Sequence, residues 1–471
     1  MTANPTIERI PISFSGPGAG TAPLTWGQKA LLEYLELTGV AADSCGAHFL
    51  AAGTTVETLV ERIRETMSRH SALRMTWARG ADGRPYQVVS ESGEIELEVV
   101  TFDGETDPGD AIAYGNEIWQ GWAVAPIDQY RDLSLRITMI RHPDLAPYVA
   151  ICIGHTIADG TAAFLIMADL GLTDSIVRSG DPRTVGILEM ARREQTPEVR
   201  RISDRAMSHR EGLLRDIPPL TFGEPTHPEC RLGQRYWRGF FHSPATYLGM
   251  LGLAARTRTD TTRALLAIIA IAIGRATGVN PLTTGVISSN RFRPGFGEII
   301  STLAGESLVT LDLDGTVGDV VARIRRLSIA AGLHSYYDPE QYNELLARLD
   351  AERGYAARVT CRINDMRFGT RPANEAAARS EIITMDRIRA RLPETFFEWD
   401  PTMTLEFIPE QLFVLISDRA DSVDLMLMVD TARFSDEDVQ ALLRGVEEVA
   451  VEAALDPEVP TRLAPGRLAV P

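Results

Sequence analysis

The sequence predicts a mixed α/β chain built as two halves of similar texture, and three observations carry that prediction. Its 471 residues exceed the roughly 250–300 at which a single hydrophobic core stops growing. Apolar stretches with strand and helix periods alternate along the whole chain. Between the halves, residues 191–216 (ARREQTPEVRRISDRAMSHREGLLRD) are charged and nearly without aromatic residues, and the proline-rich DIPPLTFGEPTHPE follows. That composition marks a helical connector and a crossing loop. The expected organisation is one domain over 1–175, a connector over 176–220 and a second domain over 221–471.

Composition narrows the function classes. A hydrophobic content of 44% with 24% charged residues is that of a globular protein. The net charge of −17 argues against a nucleic-acid partner, because phosphate backbones reward basic surfaces. The start, MTANPTIERIPISF, has neither a charged n-region nor an apolar h-region, so no secretory signal is expected. The longest apolar run, Ala264 to Gly274, is too short to span a bilayer and suits a buried core helix. A soluble, cytoplasmic protein is expected, with no membrane contact. The four cysteines, Cys45, Cys152, Cys230 and Cys361, lie far apart in sequence without metal-ligand spacing. Neither a disulfide framework nor a zinc site is read from them.

In chain order, the first half reads as helices at 25–38 and 55–69, strands at 73–78 and 95–101, and a helix at 109–122. Strands at 133–141 and 147–154 follow. The second half reads as a core helix at 260–277, a strand at 283–288, helices at 316–332 and 338–353, and a strand at 357–364. SYYDPEQ starts the 338–353 helix, with Asp338 as N-cap and Pro339 at the first helical position. Strands at 402–407, 411–417 and 423–430 precede a last helix at 435–454. Ser435 is its N-cap, Asp436, Glu437 and Asp438 fill the first turn, and Phe434 is placed to staple onto Val439.

The stretch AICIGHTIADGTAAFLIMADL, Ala150 to Leu170, carries the chemistry. PYVAICI is β-branched and bounded by proline, so it reads as a buried strand, and the chain from Asp159 onward reads as a helix. His155 therefore stands on the turn leaving a strand, where a scaffold holds polar groups at an open edge. On the residues alone it is either a general base or a histidine caught at a strand end. Asp159, one helical turn away, could serve as a charge partner for the imidazole.

Several segments in one order resemble the condensation domains of nonribosomal peptide synthetases, within the wider chloramphenicol-acetyltransferase-like superfamily. GHTIADG (154–160) is similar to the family's HHxxxDG motif, and LTWGQKALLEY (24–34) to its opening segment. RHSALRMTW (69–77) is similar to the RHxxLR segment, and DLSLRITMIR (132–141) to the strand before the motif. GVISSNRFRPGFGEIISTLAG (285–305) is similar to the arginine-containing segment, and VDLMLMVDTARFSDEDVQALL (423–443) to the closing strand and helix.

The resemblance implies two acetyltransferase-like lobes forming a V-shaped pseudo-dimer with a tunnel between them. It implies an acyltransferase that joins an acyl thioester to an amine or hydroxyl, making an amide or ester. The donor would ride on the phosphopantetheine arm of a carrier protein, or on CoA, with no bound cofactor or metal and a monomeric enzyme. His155 would be the catalytic residue, because a neutral imidazole titrating near pH 7 can take the attacking group's proton. Asp159 would point away and form a structural salt bridge to Arg291, and Gly160 would allow the turn and close approach of the arm. Where the family has the first of two histidines, this chain has Gly154. QRYWRGFF (234–241) stands as a remnant of a segment expected between the halves.

Ser288 and Ser289, with Asn290, read as turn residues before Arg291 that could also contact a substrate carbonyl. Asn364 and Asp365 follow a strand and are further candidates to border the tunnel. The arginines of 191–216 could meet an acidic carrier protein, but they read more readily as a solvated helix face. Two function classes stay open: a condensation enzyme, and a noncatalytic relative that recruits a partner enzyme to a carrier protein.

Overall fold

In the computed structural model, which describes residues 5–39, 43–173, 185–225, 235–405 and 407–463, the strands assemble into three sheets. The chain divides into two compact units, Met1–Arg201 with Ser289–Ala304, and Ile202–Ser288 with Gly305–Pro471.

The first unit contains β1 (Thr6–Ser15), β2 (Gly20–Pro23), β3 (Ser44–Phe49), β4 (Met75–Arg79), β5 (Pro85–Val89), β6 (Ser92–Thr101), β7 (Leu135–Arg141) and β8 (Tyr148–Ile153). One sheet has the order β1-β6-β7-β8-β3, antiparallel except for the parallel β6–β7 pair, and a smaller one has the order β2-β5-β4. The continuous apolar run of β8 has a direct cause, since both of its faces are covered. Val149, Ile151 and Ile153 enter a core with Leu59, Ile63 and Met67 of the helix Val56–Arg69. Tyr148 and Ala150 face the other way and pack with Ala111 and Ile118 of the helix Pro108–Val124. Pro11 lies in β1, an edge strand, where a missing N–H is tolerated.

The second unit contains β9 (Tyr236–Ser243), β10 (Leu282–Ser288), β11 (Gly305–Leu311), β12 (Cys361–Asp365), β13 (Phe396–Leu405), β14 (Leu412–Ile416) and β15 (Val423–Asp430). They form one sheet in the order β11-β10-β12-β14-β15-β9-β13. The helices Pro244–Thr257, Thr261–Thr277 and Asp436–Ala453 pack on it as the main core. Glycine at 249 and 252 lets the first of these approach the last closely, since a Cβ at either site would come within 2.5 Å of the Ala450 or Ala454 carbonyl oxygen. The last helix begins with a capping box: the Ser435 hydroxyl accepts from Asp438 N, and the Asp438 carboxylate accepts from Ser435 N.

Several sequence expectations change. YWRGFFHS, given no element from the sequence, forms β9, an inner strand between β15 and β13. The strand expected at 402–407 starts earlier, at Phe396, because its pairing with β9 begins at His242. Residues 71–74 form a 3-10 turn before β4 rather than the start of a strand. The charged stretch becomes the helices Ile187–Glu194 and Pro197–Leu214, and it is not solvated throughout. Arg210 is fully buried, paired with Glu306 at 3.4 Å and set over the Tyr337 ring at 4.1 Å. Residues 176–184 of the expected connector lie outside the described residues.

Candidate functional site

The motif turn is assembled within the first unit. β8 ends at Ile153, and the helix Gly160–Leu170 starts with Asp159 as its N-cap, the carboxylate accepting from Ala162 N at 2.9 Å. His155 is half-buried on the turn between them. Its Nδ1 lies 2.8 Å from the carbonyl oxygen of Ala158. A carbonyl only accepts, so Nδ1 carries the proton and the neutral ring presents its lone pair at Nε2. That is the tautomer a general base requires.

Two hydrogen bonds fix the backbone at His155. His155 N donates to Asp43 Oδ1 at 3.0 Å, and Asp43 Oδ2 accepts from Ile127 N at 3.0 Å. The Thr302 hydroxyl donates to the His155 carbonyl at 2.6 Å. Thr302 in turn lies against Gly27, where a Cβ would stand 2.0 Å from the Thr302 carbonyl oxygen. The glycine of the TWGQ segment is therefore needed for close approach, and its neighbours Thr25 and Gln28 form the capping box of the helix Trp26–Thr38.

Asp159 does not touch the imidazole. Its carboxylate, 2% exposed, accepts from the Arg291 guanidinium at 2.7 Å on Oδ1 and from Leu303 N and Ala304 N, each at 3.0 Å, on Oδ2. Arg291 also donates to the carbonyls of Ile299, at 2.8 Å, and Ser301, at 3.3 Å. Asp159 and Arg291 thus hold the 289–304 segment to the motif turn. Asn290, the second residue of this segment, is buried with φ of 58° and donates to the Leu303 carbonyl at 2.9 Å. Gly160 is the first helical residue and is not among the residues with left-handed backbone, so the turn geometry does not by itself require glycine there.

The space beside Gly154 is occupied. A Cβ at this position would lie 3.0 Å from Ser134 Cβ and 3.2 Å from Gln129 Nε2. Gln129 Oε1 accepts from the Ser134 hydroxyl at 3.0 Å and from the Thr156 hydroxyl at 2.6 Å. These three buried polar residues fill the space beside Gly154, the position where the resemblance places a histidine.

The RHxxLR-like segment is framework. His70 Nε2 and Arg69 reach Asp169 at 2.7 and 3.1 Å, and the buried Arg74 guanidinium is spent on the carbonyls of Gly16, Pro17, Met67 and Ser90. Among the other candidates, Ser289 lies in the first unit and is exposed. Ser288 ends β10 in the second unit, its hydroxyl 2.6 Å from that of Ser307, and Asn364 lies in β12 of the same unit.

Sequence reasoning missed Asp43, Gln129, Ser134 and Thr302; Asp43 and Thr302 act through contacts more than 100 residues away, and Gln129 and Ser134 through their packing beside Gly154. Among the described residues, no group of three or more His, Cys, Asp or Glu is placed to hold a metal ion, and no helix is long and apolar enough to cross a membrane.

Comparison with known proteins adds the following. Residues 44–181, which include the motif turn, match the Condensation domain family. The chain is similar to the nonribosomal peptide synthetase kk1B of Curvularia clavata, 23% identical over 286 residues, which is 59% of this chain and 2% of that protein. It is likewise similar to CymA of Salinispora arenicola (strain CNS-205), a probable non-canonical nonribosomal peptide synthetase, 24% identical over 358 residues, or 72% of this chain and 4% of that protein. The chain thus spans only a few per cent of the length of these curated relatives. Among solved structures it is similar to one showing condensation domain-mediated chain release from the enacyloxin polyketide synthase. That match has a TM-score of 0.70 at 17% identity and covers 94% of this chain and 84% of that chain.

Proposed function

Because this chain is a condensation-domain-like protein in fold and in its motif segment, we propose that it is an acyltransferase joining a carrier protein- or CoA-bound acyl thioester to an amine or hydroxyl in natural-product biosynthesis. The observation that carries this reading is the bond from His155 Nδ1 to the Ala158 carbonyl, which leaves Nε2 as the acceptor on a half-buried ring.

In the proposed step, the acceptor nitrogen or oxygen attacks the thioester carbonyl while its proton passes to His155 Nε2. The carbon–sulfur bond then breaks, and the departing thiolate takes the proton back, so the imidazole ends neutral. A positioned base of this kind contributes roughly 10²–10⁴-fold, or about 3–5 kcal/mol of barrier. Asp159 and Arg291 act on the loop rather than on the proton. Gly160 is assigned the close approach of the pantetheine arm, and Ser288, Ser289 and Asn364 are candidates for contacts to the substrate. Holding the thioester on a tethered arm would turn an encounter in solution into a positioned reaction.

The filled space beside Gly154 favours a second reading, a noncatalytic relative that docks a carrier for another enzyme. One experiment separates them: incubation with acyl-carrier proteins or acyl-CoA and a panel of amines and alcohols, with intact-mass detection of the acylated acceptor. Turnover that falls by about 10²-fold or more in His155→Ala supports the enzyme. Unchanged turnover in that variant refutes the base assignment. Carrier binding without transfer by the unaltered chain supports the docking protein.

A further inference from the structure

Cys45 and Cys152 stand 107 positions apart in sequence, yet they are directly opposed in the antiparallel β3–β8 pair. Both are free thiols, with sulfur atoms 2.6 Å apart. Arg136 on β7 is the register partner of Cys152 on its other side, so Arg136, Cys152 and Cys45 form a row across three strands. Directly opposed cross-strand positions have Cα separations of about 4.5–5.5 Å, inside the range that a disulfide spans without backbone movement.

We infer that Cys45 and Cys152 are a thiol pair that low-molecular-weight disulfides oxidise to an intramolecular disulfide, a modification site beside the motif turn. Cys45 is the attacking residue because it is half-exposed while Cys152 is buried. The contact with Cys152 also holds the Cys45 thiol below its ordinary value, whereas the same contact and burial push Cys152 up. In the first step the Cys45 thiolate attacks one sulfur of the external disulfide, forming a mixed disulfide and releasing one small thiol. In the second, the Cys152 sulfur displaces the second small thiol. The two cysteines together lose two protons and two electrons, and the external disulfide gains them.

The bond would tie together the two elements that hold the catalytic candidate. Asp43, two residues before Cys45, accepts from His155 N, and His155 lies three residues after Cys152. Oxidation therefore closes a covalent ring around the Asp43–His155 contact. None of this depends on the acyltransferase reading.

The test is incubation of the fully reduced chain with oxidised glutathione, followed by non-reducing peptide mapping, thermal melting and amide exchange. The expected results are a linked Cys45–Cys152 peptide pair, a melting midpoint raised by roughly 5 °C or more and restored by dithiothreitol, and slower exchange at the His155 amide. Cys152→Ala should trap glutathione on Cys45, and Cys45→Ser should abolish both the link and the melting shift. A stable glutathione adduct on Cys45 of the unaltered chain, a link between any other pair, or no oxidation at all would overturn the inference.

Discussion

Replacing Asp159 tests whether this carboxylate acts as a clamp rather than as a partner of the imidazole. Its two oxygens accept from Ala162 N, the Arg291 guanidinium, Leu303 N and Ala304 N at 2.7–3.0 Å. With Asp159 2% and Arg291 8% exposed, neither group can turn to water when the other is removed. Asp159→Ala strands the guanidinium charge, at about 3–5 kcal/mol. It also removes the helix N-cap, worth about 1 kcal/mol, and the acceptor of two buried amides, worth about 1–3 kcal/mol each. These losses share one group and do not add, so the charge alone sets a floor of about 3 kcal/mol. Against a total stability of about 5–15 kcal/mol, that is a fifth or more of what keeps the unit folded.

Asp159→Asn separates the contributions, because asparagine caps a helix as well as aspartate does. Its amide nitrogen must face either the Arg291 and Ala162 donors or the Leu303 and Ala304 donors, so two donors lose their acceptor whichever way it turns. The assay is urea unfolding combined with amide exchange at Leu303 and Ala304. Both variants should lower the unfolding midpoint and deprotect those two amides, and Thr302, released with them, should loosen its bond to the His155 carbonyl. The cycle with Arg291→Met should show a coupling of about 1.5 kcal/mol or more, since the double variant no longer buries a lone charge. A loss below about 1 kcal/mol in Asp159→Ala, with Leu303 and Ala304 still protected, would refute the clamp.

Two further predictions concern other buried sites. Gly154→Ala should cost about 1–3 kcal/mol in unfolding free energy, because its Cβ would meet Ser134 Cβ at 3.0 Å; combining it with Ser134→Gly should recover most of that loss, and equal losses in the single and double variants would contradict the packing argument. Burial raises the Glu306 carboxyl, but the Arg362 and Arg210 charges outweigh it and hold its pKa below the ordinary value of 4.5. A lowered folded value means stability that is present above the unfolded pKa and lost as pH falls through the folded one. Glu306→Gln should therefore destabilise the second unit at pH 7 and differ progressively less from the unaltered chain below about pH 4; urea midpoints whose difference widens on acidification would reverse the sign.

Much of the fold was legible because local pattern and tertiary burial agree. PYVAICI reads as a buried strand since both its faces are covered, and the Ser435 and Asp338 starts read correctly because a cap is a contact between residues two or three apart. Reading failed where the cause lies far away in sequence. The helix Pro244–Thr257 carries Gly249 and Gly252, which lower its intrinsic propensity, and their purpose appears only once Ala450 and Ala454 are packed against them. YWRGFFHS carries Gly239 and lies between two other strands of its sheet, so its role depends on partners more than 150 residues away. The site divides the same way. His155, Asp159 and Arg291 were found through motif resemblance, while Asp43, Gln129 and Thr302 have no local signature.

The geometry also changes what the His-x-x-x-Asp spacing means here. A carboxylate on Nδ1 would orient the imidazole and stabilise its protonated form as the attacking group's proton arrives. The acceptor in this chain is the neutral carbonyl of Ala158, and the aspartate is committed to Arg291 and three backbone amides. The ring is therefore held in the correct tautomer without an ion pair on its far side. On the proposed reading, the ring contributes its tautomer and placement rather than an ion pair at Nδ1. The three buried residues at Gly154 are consistent with that: they are joined by neutral hydrogen bonds and bring no titrating group of their own to the motif turn.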